Sequence, residues 1–146
     1  DLALENRKQL YSALVYALNY NAKIHLVSSL IPGVKVRQSL IYKKMRNARD
    51  TLVQNGVETE MQIFEKDKRP TYQRVLDYAK EIDSSMILLM THKEGYNSDN
   101  YIGAFAHHLI NQSSVLVLSL TASATEFNFR EIVKNVVDPV GMFFKK

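Results

Sequence analysis

A chain of 146 residues, 46% of them hydrophobic and 23% charged, has the size and composition of one globular domain able to bury a core. It has no cysteine, which excludes disulfides, thiol nucleophiles and cysteine-based zinc sites. No apolar run approaches the roughly 18 residues of a membrane span, and no basic stretch followed by an apolar one directs export. The net charge of +4 favours anionic partners only mildly, and the expected compartment is the cytoplasm.

Leu10, Leu14, Ala17 and Leu18 recur at helical spacing, so the pattern predicts an amphipathic helix over Leu4 to Tyr20, with Asp1 as a cap or pre-cap residue. Asn21-Ala22 breaks it, and Lys23 to Leu30 reads as a strand ended by Pro32-Gly33. A second helix is expected over Val36 to Gln54. Leu40, Ile41, Met45, Ala48, Leu52 and Val53 make its apolar face, Lys43, Lys44, Arg46 and Arg49 lie outside it, and Asn55-Gly56 stops it. Val57 to Phe64 alternates as a half-buried strand does, apart from Thr59. Lys66 to Arg69 form a charged loop, and Pro70 suits the first turn of a third helix with a stripe of Tyr72, Val75, Leu76, Ala79 and Ile82.

The unit from Ser85 to Leu120 carries the most information. Met86 to Met90 is an apolar strand that ends at Thr91-His92-Lys93. A polar loop through Gly95 leads to a short helix around Gly103 to Gln112, and Ser113-Ser114 lead into the strand Val115 to Leu120. Strands alternating with amphipathic helices imply parallel pairing and an open α/β sheet with helices on both faces.

Leu10 to Leu30, Tyr72 to Thr91 and Gly103 to Leu120 together resemble a universal stress protein domain over roughly Asp1 to Leu120. The resemblance implies a Rossmann-like strand order of 3-2-1-4-5. In this family the central first strand immediately precedes the position of Asp1, so this chain is expected to be the second half of a tandem protein, without that strand. Unpaired edges beside the Lys23 and Met86 strands would be costly. Residues 1–125 are then the domain and 126–146 a C-terminal apolar extension.

In open parallel sheets a ligand binds beyond the carboxyl ends of the strands. That rule and the resemblance together select Asp1, Val27, Ser28, Thr91, His92, Lys93, Gly103 and Ala104. The family's phosphate loop has the form G-x2-G-x9-G-S/T. Gly103 fits its third glycine, but Met90 and Lys93 stand on the first two and Ala104 on the hydroxyl position. No cofactor is therefore expected, with ATP as the alternative. Gly103 would either let phosphate approach a helix start or serve packing or an unusual backbone angle. His92 and Lys93 would either pair with another anion or be solvated, and the Thr91 and Ser28 hydroxyls either face a ligand or satisfy strand-end amides.

Catalysis is not expected. Ser113-Ser114 form no nucleophile elbow, Glu58 and Glu60 read as a solvated edge, and adjacent His107 and His108 diverge by about 100°, which rules out a shared metal. The basic helix could touch phosphates, although no nucleic-acid reading motif accompanies it. The resemblance implies a stress-response domain acting through homodimer or intramolecular tandem pairing at Val115 to Leu120. The tail, with Phe127, Phe129, Ile132, Val133, Val136 and Val137, would pack on a neighbouring domain or subunit, and a regulatory protein partner is possible.

Overall fold

The computed structural model describes residues 2–30, 39–65, 68–91 and 103–121, with side chains from Gln9 onward. Its elements are α1 (Leu2–Tyr20), β1 (Ile24–Ser29), α2 (Leu40–Gln54), β2 (Thr59–Phe64), α3 (Thr71–Glu81), β3 (Met86–Thr91), α4 (Ala104–Gln112) and β4 (Leu116–Thr121). The expected elements within the described residues are all present. The tail, 126–146, lies outside them.

Helix ends follow local chemistry. α1 stops where Asn21 takes φ 49°, a left-handed conformation asparagine tolerates, and the Ala22 amide donates to Ala17 O at 2.9 Å. α2 starts later than its periodicity predicts. Ser39 is extended, and its buried hydroxyl caps the helix by accepting from the Tyr42 amide at 3.0 Å. Gly56, at φ 83°, closes α2 as the Val57 amide donates back to Leu52 O. Pro70 sits at the N-cap of α3, one residue ahead of the first turn.

β1 pairs with β2 and β3 with β4, both in parallel, as the expected strand order requires. The two pairs are separate two-stranded sheets, and among the described residues no strand pairs with the other edge of β1 or β3. The Ile24 and Leu30 amides donate to Glu58 O and Phe64 O. Backbone groups of a parallel strand alternate sides, so those of His25, Val27 and Ser29 point away from β2. None of the six β1 residues is fully buried, although parallel strands are normally covered throughout. On β3, Gln9 Nε2 of α1 donates to Leu88 O at 3.1 Å, a side-chain amide serving a strand carbonyl.

Helices cover the strands from two sides. On one, Leu14 and Ala17 of α1 and Leu52 of α2 enclose Val57, with Leu10, Ile24 and Leu26 packed against them. On the other, Ala106 and Leu109 of α4 pack on Leu89 of β3, joined by Val117 and by Tyr72, Val75 and Leu76 of α3. Leu18, Leu40 and Val53, expected in the core, are 40%, 64% and 52% exposed. Tyr11, not anticipated, is buried instead.

Leu52 is wholly buried, so Leu52→Ala is expected to cost about 2–5 kcal/mol in urea unfolding, against within about 0.5 kcal/mol for neighbouring Val53→Ala. Hydrogen exchange reads the strand edges. In the 146-residue protein the His25, Val27 and Ser29 amides should exchange faster than those of Leu26 and Ser28. Uniform protection along β1 would mean that a further strand lies against it.

Candidate functional site

The carboxyl ends of β1 and β3 and the start of α4 hold five of the eight residues selected from sequence. Asp1, His92 and Lys93 lie outside the described residues. Val27 and Ser28 are half-buried near the end of β1. Side chains alternate along a strand and Ile24 and Leu26 pack toward α1, so Ser28 shares their face while Val27 points toward the α3 side.

Thr91 closes β3 and is buried. Its hydroxyl donates to Leu120 O at 3.3 Å and accepts from Ser119 Oγ at 3.3 Å. The hydroxyl proton thus serves a carbonyl of the β3–β4 pair rather than a strand-end amide. Ser119 was not singled out from sequence. Its place opposite the end of β3 follows only from the register, which pairs Leu89 with Ser119.

Gly103 is the N-cap of α4 at φ −51° and ψ 151°, a conformation open to any residue, and it offers no side-chain cap. Among the described residues a Cβ added there would meet nothing within 4 Å. Unusual backbone geometry, one of the two structural reasons foreseen for this glycine, is not what it provides. Ala104 is exposed in the first turn. The start of α4 is thus a helix N-terminus without a side-chain cap, open around Gly103 among the described residues, the kind of place where helix amides can meet an anion.

The strongest charge coupling is at the opposite end of the strands. Lys23, just before β1, lies 2.8 Å from Glu58 and 2.6 Å from Glu60. Hydrogen bonds to these two acids, Glu58 first, push its pKa well above the usual lysine range, and the Lys23 hydrogen bond draws the Glu60 carboxyl down. All three are solvent-exposed, so the cluster contributes little to stability. Both glutamates are exposed, as the solvated-edge reading expected, and share one lysine. His25 Nδ1 lies 2.9 Å from Tyr78 Oη and 3.8 Å from Glu60 Oε2. Burial first, then Glu60 and Glu81, raise the Tyr78 pKa, so this hydroxyl keeps a proton to share with His25.

The remaining candidates have structural partners. His108 stacks on Tyr72 of α3 with centroids 4.4 Å apart, and His107 Nε2 lies 3.0 Å from Asn111 Nδ2. The two rings stand at 80° to each other. Among the described residues no group of three or more histidines and carboxylates is placed to hold a metal, and no helix is long and apolar enough to cross a membrane. Ser113 Oγ donates to Val115 O and accepts from its amide, closing the turn before β4. On the basic helix, Arg46 and Arg49 both pair with Asp50, at 3.8 and 2.8 Å, which reduces the charge offered to phosphates.

Against solved structures the alignment is extensive. A universal stress protein from Archaeoglobus fulgidus superposes with a TM-score of 0.64 at 21% identity, over 79% of this chain and 88% of that one. This chain has the universal stress protein fold. A universal stress protein from the same organism in complex with dAMP matches at TM-score 0.59 and 21% identity, over 79% of this chain and 86% of that one. Another from Archaeoglobus fulgidus DSM 4304 reaches TM-score 0.66 at 17% identity. It aligns with 86% of this chain, which spans only 43% of its length. No protein-family model matches the sequence, and no curated protein matches it. For this member of the universal stress protein fold, Gly103→Ser should leave urea stability within about 0.5 kcal/mol or raise it slightly, because serine supplies the missing cap acceptor. A loss above about 1 kcal/mol would show that residue 103 is sterically constrained.

Proposed function

We propose that this chain is a non-catalytic stress-response domain of universal stress protein type that acts by dimerisation and partner binding. One observation carries the reading: the outer strand β4 is left to be covered. Val117 packs toward α4, so strand alternation sends Leu116, Leu118 and Leu120 to the opposite face, where Leu116 is 67% exposed. The expected pairing strand, Val115 to Leu120, forms as Leu116–Thr121, one residue later. Phe105 and Ile110 of α4 are also 43% and 41% exposed. A parallel pair ending in an apolar outer strand is the kind of edge that proteins pair or cover.

The neighbour of which this chain spans 43% supports a tandem version of the same contact, with the 126–146 extension packed on the adjoining domain. The absence of turnover rests on the candidate groups being engaged elsewhere: Glu58 and Glu60 with Lys23, His108 with Tyr72, and Ser113 with Val115. In sedimentation velocity the protein is expected to be a dimer, and Leu116→Lys a monomer with an unchanged circular dichroism spectrum. A wild-type protein that stays monomeric at its highest soluble concentration overturns the homodimer.

A second reading, a nucleotide sensor, is favoured by the neighbour solved with dAMP and by the open amides at Gly103. ATP would then lie across Asp1, Val27, Ser28, Thr91 and Ala104, with His92 and Lys93 supplying the positive charge that the phosphate loop lacks. Magnesium-ATP at a hundredfold excess over Kd would stabilise the protein by about 2.7 kcal/mol, and Lys93→Ala would weaken this. No thermal shift at saturating magnesium-ATP removes the reading.

A further inference from the structure

We draw no further inference here: the strongest candidate, the surface cleft of about 250 Å³ that Leu76, Asp77 and Lys80 of α3 form with Ser113, Ser114 and Val115 ahead of β4, has its one acid already paired with Arg69 and no buried polar side chain among its lining residues to define a ligand.

Discussion

Every N–H and C=O of a strand buried between helix layers needs a partner, and among the described residues strand pairing supplies partners on one side of each pair. β1 is bonded to β2 and β3 to β4, and helices add contacts to both pairs. The Gln9 amide reaches Leu88 O from α1. On the other side, α3 reaches both strands of the first pair. Tyr78 contacts His25 and packs edge-on against Phe64, while Arg74 lies 4.6 Å over the same phenyl ring and donates to the Glu65 carbonyl. With Tyr72 stacked on His108, α3 also holds α4, and through it the second pair. The helices therefore do part of what a continuous backbone ladder does in a complete sheet.

This division also separates the charged and polar parts of the molecule. Lys23 pairs with both Glu58 and Glu60 at the amino end of the first pair, the end opposite to the ligand crevice of open parallel sheets. At the carboxyl ends the described groups are a buried threonine, a serine and a glycine-led helix start. The described part of this surface offers hydroxyls and a helix start. The outer strand has the opposite character, with Leu116, Leu118 and Leu120 on one face.

Most of the fold was legible because its signals are redundant. The periodicity of α3, the apolar run of β3, the left-handed stop at Asn21 and the Asn55-Gly56 terminus each mark an element twice, by pattern and by punctuation. Single signals fared less well. Ser39 was overlooked because it lies inside a stretch whose apolar spacing continues through it, and only its extended backbone reveals the cap. Leu18, Leu40 and Val53 fit a helical stripe on paper, but each lies beyond the arc that α1 or α2 can bury. For the site, Val27, Ser28, Thr91, Gly103 and Ala104 lie at strand ends or the α4 start, and Asp1, His92 and Lys93 lie outside the described residues. Sequence could not say that Thr91 turns its hydroxyl toward Leu120 O, because that depends on which face of β3 meets α4.

The joining of the pairs through side chains bears on how the molecule loses its structure. Each pair with its connecting helix is a contiguous stretch, Ile24–Phe64 and Met86–Thr121. Two such stretches meet the description of separate foldons, each able to open without the other. Among the described residues the two are tied together by helices: Gln9 of α1 bonds to Leu88 O, and α3 sets Tyr72, Val75 and Leu76 against the β3–α4 cluster while its Tyr78 and Arg74 reach His25 and Phe64. Among the described residues, coupling between the two pairs thus runs through helix side chains, apolar and polar, and substitutions on α1 and α3 are the ones that would alter it.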